Sequence, residues 1–198
     1  MPYPQFNLEN VRSELGIQLK DRAHLFAEVP SSPYSDLLAQ LLEQYSPLAI
    51  AIGTEKSRSE FIIAPILFEL KQQLADQVSL FSGKEFNVEP IRGLTGFCDF
   101  LISRSPEQLL ITSPVIAVVE AKNDNIASGI GQCIAEMVAA QIFNERHQNP
   151  ISAIYGVITT GSIWKFLRLQ GNVVEADLDE YHLSDVGKLL GILRYCAC

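Results

Sequence analysis

The sequence predicts an α/β protein with a mixed sheet that is flanked by helices on both faces. Its hydrophobic period changes at about Gly83, from helical spacing to short runs of apolar and β-branched residues that are typical of strands. A long amphipathic helix separates two of these strands and is long enough for a crossover between parallel neighbours. Of the 198 residues, 47% are hydrophobic and 19% are charged, which is the composition of a compact domain with a sizeable core.

The first part of the chain, residues 1–50, is predicted to form a helical N-terminal extension. We expect it to pack on a core domain of residues 51–198. Residues 8–19 are weakly amphipathic, and the later leucine spacing predicts a helix that begins at Ser35 or Asp36.

The core domain is predicted to begin with a helix over residues 57–71, which Pro65 is expected to kink because proline lacks an amide hydrogen. The elements that follow are predicted in this order: strands over 84–91, 96–103 and 115–121, a helix over 128–147, strands over 154–160, 164–169 and 173–178, and a helix over 184–194. The first three strands are joined by short turns, so we expect a meander beside a parallel pair.

The charge of the chain limits how it can bind nucleic acid. It has 15 Lys and Arg residues against 23 Asp and Glu residues, and its formal net charge is −8. Proteins that bind DNA through its phosphates usually present a basic surface, so this balance disfavours tight non-specific binding by the chain alone. A local basic groove is still compatible with it.

Several locations and chemistries lack support in the sequence. No uninterrupted apolar run approaches the roughly 20 residues of a bilayer span, and the N-terminus has no signal-peptide pattern, so we expect a soluble, cytoplasmic protein without membrane contact. The four cysteines form no zinc knuckle, the three histidines are scattered, and no G-x-S-x-G motif is present. Zinc, serine and cysteine hydrolase chemistry is therefore disfavoured.

The residues that could carry chemistry lie on two of the predicted strands. Residues 115–119 are all apolar, which indicates a strand buried on both faces, and Glu120 and Lys122 follow on one face at its end. Asp99 lies among apolar neighbours on the preceding strand, where an uncompensated carboxylate costs several kcal/mol. If the two strands are adjacent, then Asp99, Glu120 and Lys122 converge at one edge of the sheet.

This combination suits a metal-dependent hydrolase. Two carboxylates supply the hard oxygen ligands that Mg²⁺ prefers, with water and a substrate phosphate completing its shell. Such a cation lowers the pKa of bound water from about 15.7 towards neutrality, and Lys122 can position the nucleophile and stabilise the transition state. The alternative interpretation is a buried salt-bridge cluster. The pattern E-x-K alone is not specific, because Glu69 and Lys71 also match it within a predicted helix.

The order of these elements and motifs resembles the PD-(D/E)XK nuclease superfamily, which has the restriction-endonuclease-like fold. The resemblance covers roughly residues 57–169 and is carried by Asp99, by Glu120-Ala121-Lys122 at the end of the next strand, and by the helix that follows. Residues 156–166 are similar to a strand-turn-strand segment in the nuclease domains of type I restriction subunits. Cys98 stands before Asp99 where the family motif has proline.

The resemblance implies a role for each candidate residue. Asp99 and Glu120 would be the metal-binding pair, and Lys122 would be the catalytic lysine. Glu60, on the first core helix, would be an auxiliary acid and a third metal ligand. Gln132 is similar to a catalytic-site glutamine that several branches of the family carry on the next helix.

For the helix residues we also consider structural alternatives. Glu60 is also explained as an acid favoured by the dipole at a helix N-terminus. Gln132, and Glu136 one turn further along the same face, are also explained as ordinary solvated helix residues.

The expected function is hydrolysis of nucleic-acid phosphodiester bonds, with DNA favoured as the substrate and Mg²⁺ or Mn²⁺ as the cofactor. A homodimer, or a partner subunit that supplies DNA affinity, would reconcile the motif with the acidic charge. The alternative is a non-cleaving interaction or regulatory module that retains the nuclease fold. The low basic content favours this alternative, whereas the complete set of motif residues disfavours it.

Overall fold

An eight-stranded mixed sheet organises the computed structural model, which describes residues 2–22 and 24–198. The helices are α1 (Leu8–Ser13), α2 (Asp36–Ile52), α3 (Glu55–Arg58), α4 (Ala64–Leu74), α5 (Ile126–Arg146) and α6 (Val186–Ala197). The strands are β1 (Gln18–Arg22), β2 (Ser79–Glu85), β3 (Phe97–Ser103), β4 (Val115–Ala121), β5 (Ile154–Thr159), β6 (Ile163–Gln170), β7 (Val173–Asp177) and β8 (Tyr181–His182).

The strands lie in the order β1-β7-β6-β5-β4-β3-β2, and β8 pairs with β6. The pairs β4–β5 and β1–β7 are parallel, and the other pairs are antiparallel. Helix α5 provides the crossover between β4 and β5. This arrangement confirms the predicted α/β class and the predicted mixed sheet.

The helices cover both faces of the sheet and form two hydrophobic cores. Helices α2, α4 and α6 contribute to one core, whereas the N-terminal segment and α5 contribute to the other. All seven residues of β4 are buried between these layers, as its apolar sequence predicts. Helix α5 is long and apolar enough for a membrane span, the one such helix in the described ranges, and most of that stretch is buried in the protein.

The N-terminal segment is less helical than the sequence predicts. The side-chain oxygen of Asn7 caps α1, because it accepts hydrogen bonds from the backbone amides of Glu9 and Asn10. Helix α1 ends at Ser13. The chain then turns at Gly16, which has a φ of 70°, and enters β1, which pairs with β7 at the edge of the sheet. Four of the five residues of β1 are polar and exposed, and Leu19 is the exception, so its sequence carries little strand signal. Its strand conformation depends on pairing with β7.

The strand predicted over residues 84–91 is also displaced. The observed strand is β2, which ends at Glu85, and Phe86 and Val88 are buried in the irregular segment that follows. Their apolar character comes from core packing, which the sequence alone does not distinguish from a strand.

The predicted first core helix is interrupted before Pro65. Helix α3 runs into a π-helical turn, Ser59–Ile63, in which the amide of Ala64 donates to the carbonyl of Ser59. Helix α4 then begins at Ala64, so Pro65 lies in its first turn, where a missing amide hydrogen is tolerated. The expected disturbance of the helix near Pro65 is therefore observed as a π-helical turn.

Candidate functional site

The three strand-borne candidates meet at one edge of the sheet. Strands β3 and β4 are antiparallel neighbours, and Phe100 pairs with Val119. Asp99 is therefore placed beside the end of β4, where its Oδ2 accepts the amide of Ala121 at 2.8 Å. The ammonium of Lys122 donates to Oε1 of Glu120. The expected convergence of these side chains is thus observed, whereas their chemical roles stay predictions.

Glu120 is a buried carboxylate whose hydrogen-bonding capacity is only partly used by the described residues. Its side chain is 2% exposed, and its Oε2 has no hydrogen-bond partner within residues 2–22 and 24–198. The pKa of Glu120 is raised from the ordinary value of 4.5 to about 8, by burial first and by the negative charge of Asp99 next, while Lys122 acts in the opposite direction. A buried carboxylate with a free oxygen is stabilised by a proton or by a cation, so this atom marks a possible cation ligand.

Asp99 is more accessible than Glu120. Burial raises the pKa of Asp99, while the amide of Ala121 and the charge of Lys122 act in the opposite direction. Its side chain is half-buried, so the carboxylate combines a fixed orientation from Ala121 with access from solvent.

Lys122 is fixed at both its backbone and its side chain. Its amide donates to the carbonyl of Thr159 on β5 at 2.8 Å, and its ammonium lies between Glu120 and Gln132, with Oε1 of Gln132 at 3.4 Å. Burial lowers the pKa of Lys122, but the charge and hydrogen bond of Glu120 together with the charges of Glu55 and Asp99 outweigh it, so the net pKa is raised. The ammonium therefore stays charged near neutral pH.

Helix α5 brings Gln132 and Glu136 to the same cluster. Nε2 of Gln132 donates to Oε1 of Glu136 at 3.0 Å. Gln132 is 8% exposed and Glu136 is fully buried, so the interpretation of both as solvated helix residues is wrong. The sequence signal for Glu136 was its position beside Cys133 and Met137 on the apolar side of α5.

In the part of the chain that the structure describes, no hydrogen bond or ion pair joins Glu60 to this cluster. Its side chain is 53% exposed and forms an ion pair with Lys56 at 2.8 Å. It lines an apolar groove between α2 and α4, together with Leu38 and Phe68. Among the described residues, the charges that shift the pKa of Glu120 come from Asp99, Lys122 and Glu55, and not from Glu60.

Glu55 is the acid of the first core helices that acts on the cluster. It occupies the first position of α3, after the N-cap residue Thr54, and its charge raises the pKa of both Glu120 and Lys122. Sequence reasoning missed it because an acid after a threonine is a common helix start.

A polar cavity of about 470 Å³ begins at Asn123, next to Lys122. Its lining includes Arg58, whose Nη1 donates to the carbonyl of Thr160 at 3.0 Å, and the exposed acids Asp124 and Glu180. The cavity gives a ligand room beside the cluster, with charges of both signs.

The residues present fit a cation that takes few of its ligands from the protein. In the described ranges, no group of three or more His, Cys, Asp or Glu side chains is arranged to hold a metal ion. At the sheet edge the cluster offers the carboxylates of Asp99 and Glu120, and Mg²⁺ typically binds one or two carboxylates while keeping several waters. The unpartnered Oε2 of Glu120 and the accessible carboxylate of Asp99 suit that mode of binding.

No protein-family model matches the chain, and no curated protein matches it at a significant level. The fold and the site define a class: a mixed α/β protein with a carboxylate–lysine cluster at one edge of its sheet.

Proposed function

We propose that this protein is a metal-dependent nuclease of the PD-(D/E)XK type, which hydrolyses phosphodiester bonds of nucleic acid. The observation that carries the proposal is the meeting of Asp99, Glu120 and Lys122 at one sheet edge, with a buried oxygen on Glu120 that has no partner in the described part of the chain. A restriction-endonuclease-like fold is part of the proposal. It is supported by the antiparallel pair β3–β4, the crossover helix α5 and the parallel pair β4–β5.

Asp99 and Glu120 would hold a Mg²⁺ or Mn²⁺ ion. When bound, the ion would offset negative charge that develops on the phosphate and make water acidic enough to act as a nucleophile near neutral pH. The amide of Ala121 orients Asp99 for this task, and β4 fixes Glu120. As the auxiliary acid, the resemblance favours Glu60, whereas the charges around Glu120 favour Glu55.

Lys122 would supply the fixed positive charge of the reaction. Its ammonium neutralises Glu120 within the fold and is also held near Gln132. A donor of this kind can bind a phosphate oxygen or orient a water molecule, and it stabilises charge that develops in the transition state. Its raised pKa keeps it protonated for this role.

The substrate we propose is DNA, bound with the help of a partner subunit or a second copy of the chain. The net charge of −8 supports a contribution of such a partner to DNA binding, because phosphate contacts dominate DNA affinity. The same charge favours the second candidate function, a non-cleaving interaction module. In that case the ion pair of Lys122 and Glu120 would serve stability alone.

The two functions are separated by titrating Mn²⁺ and Mg²⁺ into the wild type and Asp99→Asn by calorimetry, with cleavage assays on single- and double-stranded DNA. The nuclease proposal expects metal binding at least about 10-fold weaker, and cleavage about 100-fold slower or more, in Asp99→Asn. The exposed Asp76→Asn is the matched control and should behave as wild type. A wild type that neither binds metal at millimolar concentration nor cleaves would instead establish the interaction module.

A further inference from the structure

Glu136 is a buried carboxylate that the proposed reaction does not yet use. It lies on the sheet-facing side of α5 and is fully buried. Oε1 accepts from Gln132, whereas Oε2 has no partner among the described residues. Burying a carboxylate with an unsatisfied oxygen is costly, so stability does not explain its presence.

The contact with Glu136 determines which way the Gln132 amide points. Burial and the charge of Glu120 raise the pKa of Glu136 well above its ordinary value. Its Oε1 can accept a hydrogen bond in the ionised or the protonated form, and it takes that bond from the NH₂ group of the amide. Nε2 of Gln132 donates to Glu136 at 3.0 Å, which turns Oε1 towards the ammonium of Lys122 at 3.4 Å. The opposite orientation would place two donors against each other.

Among the described residues, the hydrogen bond that Glu136 makes is the one from Gln132. Tyr3 and Cys98 are close enough for Glu136 to raise the pKa of each. The hydroxyl of Tyr3, however, donates to the carbonyl of Phe86 at 2.6 Å. The buried carboxylate is therefore directed towards Gln132.

We propose that Glu136 is a positioning residue, which fixes the amide of Gln132 so that this amide aligns the ammonium of Lys122 with Glu120. The proposal rests on the nuclease function proposed above. Glu136 acts through Gln132 and touches neither the substrate nor the metal.

The first test is the substitution Glu136→Leu, which removes the acceptor at similar side-chain volume. We expect kcat to fall about 10- to 100-fold with KM changed less than about threefold, because the lysine is misaligned rather than lost. The melting temperature should stay the same or rise, because an unsatisfied buried oxygen is removed. Glu136→Gln keeps an acceptor oxygen and should retain kcat within about threefold of wild type.

A matched control exists on the same helix. Nε2 of Gln141 donates to Oε1 of Glu145 at 3.2 Å, which is the same pair at the same spacing but exposed to solvent. Glu145→Leu should leave kcat unchanged. If Glu136→Leu also leaves kcat unchanged, or if its loss of activity follows a loss of folded protein, the positioning role is overturned.

Two further measurements keep the test decisive. Gln132→Met should lower kcat as Glu136→Leu does, and the double variant should show no additional loss, because both residues act on Lys122 in series. In the metal-free wild type, NMR should show slow hydrogen exchange of the Gln132 side-chain amide, and Glu136→Leu should make that exchange fast. This signal tests positioning even if the wild type cleaves no nucleic acid, an outcome that would remove the proposed function alone. An unchanged exchange rate would overturn the positioning role.

Discussion

Gly129 and Lys122 are packed so closely that a Cβ atom on Gly129 would lie 2.9 Å from Cε of Lys122 and 3.1 Å from its Cγ. The same atom would lie 3.0 Å from Cγ2 of Ile158 on β5. The lysine stem therefore passes between α5 and the end of β4 because position 129 has no side chain. Sequence inspection alone explains this glycine as part of a helix start.

Substituting Gly129 by alanine should reduce activity more than stability. Alanine favours the helix by about 1 kcal/mol, which offsets part of the crowding, but the added methyl group displaces the stem of Lys122. We expect cleavage to fall about 10- to 100-fold while the free energy of unfolding changes by about 1 kcal/mol or less. Cleavage kinetics and urea unfolding measure the two effects. Wild-type activity in this variant would show that Lys122 does not need its observed position.

Substituting Gly131 by alanine should act on stability instead. A Cβ atom there would lie 2.5 Å from Cα of Asn7 and 2.6 Å from the carbonyl oxygen of Phe6, which are backbone atoms that cannot rotate away. Overpacking of this kind typically costs about 1–3 kcal/mol. Urea unfolding should show a net loss of about 1–2 kcal/mol after the gain in helix propensity.

The control for this prediction is Gly187→Ala on α6, where the nearest atom to the added Cβ is the carbonyl oxygen of Ser32 at 3.3 Å. It should destabilise less than Gly131→Ala. Stabilisation by Gly131→Ala would contradict the docking of the N-terminal segment against α5.

The stability of the metal-free protein should fall as the pH rises towards 8. The pKa of Glu120 is raised from 4.5 to about 8, so between these values the folded protein holds a proton that the unfolded chain has released. The stabilisation is complete below pH 4.5 and is lost as the pH passes the folded-state pKa, with a loss on the order of 5 kcal/mol.

Divalent cations should reverse this trend, because they bind the ionised carboxylate. Added Mn²⁺ should therefore raise the melting temperature more at about pH 8.5 than at about pH 6. Thermal unfolding at the two pH values measures both effects; Glu120→Gln should remove the difference in Mn²⁺ stabilisation and reduce the pH trend, of which Glu136 supplies the remainder. Equal stabilisation by Mn²⁺ at both pH values in the wild type would count against Glu120 as its ligand.

Glu55 and Glu60 offer a direct comparison of the two candidate auxiliary acids. Glu55 acts electrostatically on Glu120 and Lys122, whereas Glu60 is paired with Lys56. We expect Glu55→Gln to weaken Mn²⁺ binding about 10-fold and Glu60→Gln to change it less than about twofold. Calorimetric titration of the two variants decides between them, and the reverse ranking would restore Glu60 to the site.

Much of the central sheet could be predicted from the sequence, because its strands carry their own signal. Strands β3, β4 and β5 are buried between two helical layers, and burial selects the apolar and β-branched residues that mark them. Strand β1 is a mostly exposed edge strand with one apolar residue, Leu19, and only pairing with β7 makes it a strand. Its position therefore could not be predicted from local sequence.

Some residues of the candidate site could likewise be predicted from the sequence, whereas others could not. A period of two places Glu120 and Lys122 on one face of β4, and the apolar neighbours of Asp99 mark it as a costly carboxylate, so these three residues were accessible from the sequence. Glu55 and Glu136 belong to helices whose distance from β4 depends on packing. No local pattern separates Glu55 from other helix acids such as Glu60, and Glu136 is marked only by its position beside Cys133 and Met137 on the apolar side of α5.

The sequence by itself determined the α/β class, the extent of β4 and the pair of acidic and basic side chains at its end, because each depends on periodicity and burial along one strand. The tertiary structure alone decided which helix residues face that pair. It turned the amide of Gln132 towards Lys122, buried Glu136 behind it, and left Glu60 on the surface. These outcomes depend on how α3, α4 and α5 rotate and approach the sheet, and packing between distant segments sets those rotations.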